Sequence, residues 1–142
     1  MADPLGFDRF LKAQAPVMAQ VRIELRAGCK RTHWMWYIFP QLAGLGRSST
    51  AQYYALGSLH EARSYLAHPI LGPRFIECTL LVNAVAGRSA HDIFGYPDDL
   101  KFHSSITLFA LAQPDEPTFA DALENYFDGM LDQLTTERLN AT

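Results

Sequence analysis

Apolar residues recur at a helical spacing along nearly the whole chain of 142 residues. The longest such pattern begins at Pro73 and ends at Ala86, directly before Gly87. Its apolar positions extend nearly all round the helix, which indicates a central helix surrounded by others. The helices predicted in this way cover residues 8–14, 16–28, 58–68, 73–86, 98–111, 118–129 and 133–139.

Several polar residues and glycines mark the expected helix ends. Gly28 stops the second helix, and Ser58 with Glu61 three residues later has the spacing of a capping box. Asp98 or Asp99 and, further on, Thr118 are suitable N-caps for the last long helices.

One segment does not follow the helical pattern clearly. Residues 34–39, WMWYIF, could form a buried strand, a buried helical turn or an extended stretch, and periodicity does not separate these. The sequence has no Asn-Gly or Asp-Gly turn between two alternating runs, so it gives no hairpin signal. We therefore predict an all-α fold with minimal β-structure. A single domain over residues 1–142 would hold about six to eight helices around the central one.

Composition excludes several classes of protein. The net charge is −3, which gives no overall attraction to nucleic acid or to an anionic membrane surface. No apolar run reaches the length of a membrane span, and the N-terminus lacks the pattern of a leader peptide. Two cysteines and five scattered histidines match no disulfide framework and no zinc spacing. We expect a cytoplasmic monomer or weak homodimer without metal or cofactor.

The first candidate for a functional surface is the aromatic segment. Both tryptophans, Trp34 and Trp36, lie beside Lys30, His33 and Gln41. An aromatic wall next to polar groups is typical of sites that hold a flat polar ring such as a nucleobase. The alternative is a hydrophobic hub into which His33 is hydrogen-bonded, and from composition alone this is the more common outcome.

The second candidate is the glycine-rich segment that follows. Gly44 and Gly46 permit a close approach of the backbone, and Ser48 can cap a helix that contains Tyr54. The free N–H groups of such a helix, with Arg47 beside them, favour an anion. The segment has neither the P-loop nor the dinucleotide pattern, and a plain loop before a capped helix is the simpler interpretation.

The third candidate lies on the helix after Pro97. Lys101, Ser104 and Ser105 share one side, where a lysine and two hydroxyls could hold a phosphate or a sugar hydroxyl. Phe102 and Ile106 share another side, so a solvated face opposite a core stripe is the alternative. Acidic groups for catalysis are present but are not placed by any recognised motif. Asp98 and Glu61, with His33, are the candidates.

The three segments together resemble a known family. The strings HWMWYIFPQ and KFHSSITLF, and a long match from about Phe10 to Leu139, are similar to a bacterial and fungal family of unknown function. Its members are often mislabelled "calpastatin", although this chain lacks the composition of a disordered protease inhibitor. The resemblance implies an all-helical single domain. The residues that the resemblance implies as shared with the family are His33, Trp34, Trp36, Pro40, Gln41, Gly44, Gly46, Ser48, Tyr54, His68, Pro69, Gly72, Lys101, Ser104, Ser105 and Thr107.

The family resemblance implies that residues 30–50, which hold the first two segments, and the helix of Lys101 form two walls of one pocket. In its size, its helical class and the corner YLAHPILG at residues 65–72, the chain is also similar, more distantly, to small helical N-glycosidases that act on ADP-ribose-type and riboflavin-pathway nucleotides. That similarity implies hydrolysis of an N-glycosidic bond in a small nucleotide-like or phosphate-bearing ligand, with a carboxylate that stabilises an oxocarbenium-like transition state. Two alternatives remain open. The pocket could bind such a ligand without chemistry, or the aromatic segment could pack on a protein partner.

Overall fold

The helical periodicity of the sequence is realised as ten helices in the computed structural model, which describes residues 3–141. In chain order, helices α1 to α10 are Asp8–Gln14, Met18–Ala27, Met35–Ile38, Ser49–Tyr53, Leu59–Ala67, Leu71–Asn83, Ala90–Phe94, Asp98–Ala112, Pro117–Phe127 and Gln133–Asn140. These residues contain no strand, and one isolated bridge joins Leu42 to Leu56. The predicted all-α class is confirmed.

The number of helices exceeds the predicted six to eight because three of the ten are very short. α3 has four residues, and α4 and α7 have five each. α3 lies within the ambiguous segment 34–39 and shows that this segment is a buried helical turn. α7 was not predicted from the sequence, although Ser89 and Asp92 form its reciprocal capping box.

Local sequence signals placed some helix ends correctly and others wrongly. Gly28 ends α2 with a left-handed φ of 66°, and Ser58 accepts a hydrogen bond from Glu61 N at the start of α5. Asp98 was expected as a cap, but it lies inside the first turn of α8, after Pro97. Thr118 also lies inside its helix, because Glu116 is the cap of α9 and accepts from Thr118 N. Both of these cap predictions were wrong.

The core is centred on α8 as well as on the predicted central helix. α6 begins two residues before Pro73 and packs against α2, α5 and α9. α8 packs against α5, α7, α9 and α10, and its residues 104–109 are all buried. With these four helices around α8, its serine side is buried, although composition alone would leave that side in water.

Aromatic rings join the short helix α3 to this core. The ring of Phe39 lies 5.1 Å from that of Phe102 and 5.6 Å from that of Phe75, in edge-to-face geometry. Phe75 in turn packs on Phe109, with ring centres 4.1 Å apart. Among the described residues, no helix is long and apolar enough to cross a membrane.

Candidate functional site

A buried carboxylate organises the loop that follows α2. The Glu24 side chain is 2% exposed and lies where α2 meets the loop of residues 29–34. Its Oε1 accepts hydrogen bonds from Arg31 N at 2.7 Å, Thr32 N at 3.0 Å and Trp34 Nε1 at 3.0 Å. Its Oε2 accepts from the Thr32 hydroxyl at 2.7 Å and from Gln20 Nε2 at 2.8 Å. Five donors therefore fix the loop around one acidic group.

These hydrogen bonds also decide the protonation state of Glu24. Burial by itself disfavours the charged form and would raise the pKa of the carboxyl group. The hydrogen bonds from Arg31 N, from Thr32 and from Gln20 outweigh burial and lower the pKa to about 2. Glu24 is consequently charged at neutral pH and binds the loop tightly to α2.

An ion cluster connects this loop to the start of α8. Asp98 accepts from Lys30 Nζ at 2.9 Å and lies 3.6 Å from Lys101 Nζ. The Lys30 ammonium also lies 4.9 Å from the centre of the Trp34 ring, and that of Lys101 lies 5.4 Å from the centre of the Trp36 ring. The first and third sequence segments therefore meet, as the family resemblance implied.

A cleft opens beside this cluster, and we call it the Ser104 cleft. It has a volume of about 270 Å³ and lies between the loop of residues 41–46 and the N-terminal parts of α8 and α10. Its floor is polar, because Gln41 Nε2 donates to Ser104 Oγ at 3.1 Å. Its full lining is Gln41, Leu45, Gly46, Pro97, Leu100, Lys101, Ser104, Asp132 and Leu134.

The floor of the Ser104 cleft is a directed chain of hydrogen bonds. Ser104 Oγ lies 3.2 Å from Thr135 Oγ1, and the Thr135 hydroxyl donates to Asp132 Oδ2 at 2.6 Å. Asp132 is the N-cap of α10, and its own N–H donates to Thr107 Oγ1 at 2.9 Å. Chains of this kind polarise each bond in turn, so the polar groups of the floor are held in fixed positions.

Packing favours glycine at one position of the second segment, and the backbone conformation favours it at the other. A Cβ atom at Gly46 would lie 2.5 Å from Ala51 Cβ, so the loop can approach α4 only with glycine there. Gly44 has a φ of +95°, and a Cβ atom on it would lie 2.5 Å from the Arg138 guanidinium. Ser48 caps α4 as predicted, by accepting from Ala51 N. α4 has only five residues, which does not support an anion site at its start.

Four of the candidate ligand-binding residues line the Ser104 cleft, namely Gln41, Gly46, Lys101 and Ser104. Two further ligand-binding candidates, Lys30 and Trp36, and the catalytic candidate Asp98 adjoin it through the Lys101 ammonium. The other candidates lie elsewhere, and they are Glu61, His33, Trp34, Gly44, Arg47, Ser48, Tyr54 and Ser105.

Two of the ligand-binding candidates, Trp34 and Ser105, are buried in the core. Trp34 is 1% exposed and its indole N–H is used by Glu24, so its ring cannot stack on a ligand. Ser105 is fully buried in α8, and its hydroxyl has no hydrogen-bond partner among the described residues. The Glu61 carboxylate already has a hydrogen-bond partner, because it accepts from Gly57 N at the start of α5.

The remaining candidates lie outside the cleft. His33 and Arg47 are exposed in loops, and neither is among the residues that line the cleft. The half-buried ring of Tyr54 packs against those of Phe10 and Tyr37, with centres 5.6 and 5.2 Å away. Burial raises the pKa of the Tyr54 phenol. Tyr54 therefore belongs to the packing between α1, α3 and α4.

Two acidic residues of this region were missed from the sequence. Glu24 follows Val21 by three residues and precedes Gly28 by four, so the apolar stripe of α2 already placed it on the buried face. Asp132 precedes Thr135 by three residues, which is the spacing of an N-cap. Among residues 3–141, no three His, Cys, Asp or Glu side chains are placed to hold a metal ion.

Comparisons with known proteins agree with this architecture. A crystal structure described as the conserved hypothetical protein Rv1873 from Mycobacterium tuberculosis is 54% identical in sequence. The match has a TM-score of 0.96 and covers 99% of this chain and 100% of the mycobacterial one. No functionally curated protein shows significant similarity to the chain. The family model described as "Protein of unknown function (DUF1810)" matches residues 4–139, and the chain therefore belongs to the DUF1810 family.

Proposed function

We propose that this protein binds a small, phosphate-bearing, nucleotide-like ligand in the Ser104 cleft. The observation that carries the proposal is the convergence of three distant segments on one concave site. An amide from Gln41, a hydroxyl from Ser104, an ammonium from Lys101 and a carboxylate from Asp132 all line it. A few convergent polar groups in a partly apolar cleft are the usual form of a small-molecule site.

The polar groups of the cleft can recognise two parts of such a ligand, its sugar hydroxyls and its phosphate. Gln41, Ser104 and Asp132 can exchange hydrogen bonds with sugar hydroxyls, since they offer both donors and acceptors. Lys101 supplies the positive charge for a phosphate. Its ammonium is 3.6 Å from Asp98, whereas that of Lys30 is 2.9 Å from the same carboxylate. Asp98 is therefore paired mainly with Lys30, and Lys101 has donors available for a ligand.

The size of the cleft limits what it can enclose. Its volume of about 270 Å³ is slightly below the range of about 300–1,000 Å³ that is common for drug-sized ligands. It suits a sugar phosphate, and the rest of a nucleotide would extend over the rim. Leu100 and Leu134 are exposed on that rim, and the half-buried Trp36 ring lies beside Lys101. These side chains offer apolar surface to a base.

Binding can be tested by thermal shift and calorimetry with AMP, ADP-ribose and ribose 5-phosphate, and with adenosine as the ligand without phosphate. Lys101→Met should weaken the phosphate-bearing ligands by about tenfold or more, because a charge-assisted hydrogen bond is lost. Lys12→Met is the matched control, since Lys12 is an exposed lysine of α1 that pairs only with Asp8 among the described carboxylates. Equal affinities in the two variants, or no binding of any ligand, would contradict the proposal.

The second candidate function is hydrolysis of an N-glycosidic bond in such a ligand, and the position of Asp132 favours it. Asp132 is the acidic residue that lines the cleft, whereas Asp98 is paired with lysines and Glu61 lies at the start of α5, where its carboxylate accepts from Gly57 N. A carboxylate beside the sugar can stabilise an oxocarbenium-like transition state and activate water. In this scheme Asp132 takes the role that the sequence assigned to Asp98 or Glu61.

The Asp132→Asn variant tests the catalytic role of the carboxylate without a loss of folding stability, because Asn caps a helix about as well as Asp. We expect this variant to bind ADP-ribose or NAD with little change but to lose base release, measured by chromatography of the products. Glu61→Gln should retain turnover, since Glu61 acts at the start of α5. If wild-type protein releases no base from any nucleotide above the blank, the hydrolase function is excluded and the binding function remains.

A further inference from the structure

A second cavity, larger than the Ser104 cleft, lies at the other end of α10. It has a volume of about 460 Å³ and is enclosed by the loop of residues 42–43, the start of α5 and the end of α10. We call it the Arg138 cavity. Its lining consists of Leu42, Ala43, Gly57, Ser58, Leu59, His60, Arg138, Leu139 and Asn140. None of these residues lines the Ser104 cleft.

The cavity combines an apolar wall with one fixed cation. The apolar residues in its lining are Leu42, Ala43, Leu59 and Leu139. Arg138 Nε donates to Ala43 O at 3.2 Å, which ties the guanidinium to the loop. The same guanidinium rests against the backbone of Gly44, where a Cβ atom would lie 2.5 Å from Arg138 Cζ. The exposed guanidinium is thus tied to the loop by one hydrogen bond, and restraint of this kind lowers the entropic cost of binding.

Arg138 forms no ion pair with a carboxylate of the described chain. None of the ion pairs formed between residues 3–141 involves it. Glu61, one turn into α5, directs its carboxylate to Gly57 N and does not line the cavity. A guanidinium recognises carboxylates and phosphates with two parallel hydrogen bonds, so the cavity favours an anionic group at this edge.

From these features we propose that the Arg138 cavity is a second binding site, for a small molecule that joins a carboxylate or phosphate to an apolar body. Its volume lies within the range of small-molecule pockets. The anionic group contacts Arg138, and the apolar body packs on Leu42 and Leu59. The site is independent of the function proposed for the Ser104 cleft, because the two share no lining residue.

The proposal can be tested with octanoate and octyl phosphate as anionic probes and octan-1-ol as the neutral probe, all below their micelle or solubility limits. Calorimetry or chemical-shift mapping should show that the anions bind more tightly than the alcohol. Arg138→Met should weaken the anionic probes by about tenfold or more and leave the alcohol nearly unchanged. Lys12→Met, at an exposed lysine of α1 that does not line the cavity, should leave all three affinities unchanged.

A second variant keeps the test valid if Arg138→Met disturbs the loop. His60 is exposed at the edge of the cavity, so His60→Trp narrows it without removing the guanidinium. This variant should weaken the anionic and the neutral probes together. The proposal is overturned if no probe binds, if octanoate and octan-1-ol bind equally well, or if both variants bind octanoate as the wild type does.

Discussion

Replacement of the buried Glu24 by glutamine tests how the loop before Trp34 is held. The variant keeps the shape of the side chain and removes its charge. Oε1 of the glutamine can still accept from the three fixed N–H groups, those of Arg31, Thr32 and the Trp34 indole. The Thr32 hydroxyl can rotate and the Gln20 amide can flip, so that the oxygen of each accepts from the new NH₂ group in place of donating to Glu24. The substitution therefore measures mainly the charge.

The magnitude follows from the pKa of Glu24. A fall from the ordinary value of 4.5 to about 2 corresponds to about 3 kcal/mol of stability at neutral pH, at about 1.4 kcal/mol for each tenfold change in proton affinity. Because the folded-state pKa is lowered, this stability is fully present above the unfolded-state pKa. It is lost as the pH falls toward 2, where the folded protein also binds the proton.

The assay is urea denaturation followed by far-UV circular dichroism, because fluorescence would report on Trp34 itself. At pH 7 we expect the free energy of unfolding of Glu24→Gln to be lower than that of the wild type by about 2–3 kcal/mol. Near pH 3 the difference should fall to less than half. Glu77→Gln is the control, since Glu77 forms a half-exposed pair with Arg22 that we expect to contribute less than about 1 kcal/mol.

Two results would refute this reasoning. A pH-independent difference between wild type and Glu24→Gln would mean that the variant acts through packing and not through the charge. A difference no larger than that of Glu77→Gln would mean that the five hydrogen bonds do not stabilise the charged form as their geometry indicates.

Three further predictions concern single side chains. Trp34→Ala should lower the free energy of unfolding by about 3–5 kcal/mol, because the Trp34 ring is fully buried. Trp36→Ala should lower it by only about 1–1.5 kcal/mol, because the Trp36 ring is half-buried. Similar urea midpoints for the two variants would contradict this prediction. Gly44→Ala should cost about 1–3 kcal/mol because its φ is +95° and the methyl group meets a guanidinium, and an unchanged melting temperature would argue against that geometry. Burial raises the pKa of the Cys78 thiol to about 12. Iodoacetamide should therefore alkylate the half-exposed Cys29 in the folded protein and react with Cys78 only after unfolding. Equal labelling rates for the two cysteines would disprove the burial of Cys78.

Much of the secondary structure was available from the sequence because its causes are local. α1 has the predicted bounds, Gly28 and Ser58 end and start their helices as expected, and Ser48 caps α4. The incorrect caps were those where neighbouring residues compete for the same role. Glu116 precedes Pro117, which favours the first position of a helix, so the cap moved there from Thr118.

The candidate site was predictable in part. Gln41, Lys101 and Ser104 were selected from composition and family resemblance, and the structure places them around one cleft. Asp132 was missed because its position in the cleft depends on contacts with α8, such as that of its N–H with Thr107 Oγ1, which form only in the folded chain. The Arg138 cavity was missed for the same reason, since the two segments joined by Arg138 and Ala43 are 95 residues apart.

The sequence by itself determined the all-α class and most helix positions. Helical periodicity, caps and glycine stops act over a few residues, so a linear pattern contains them. Tertiary structure alone decided which polar residues are buried and which are available. Trp34 and Trp36 are indistinguishable by composition, yet Glu24 fixes one in the core and leaves the other beside Lys101. That choice depends on contacts between distant segments, which no local pattern records.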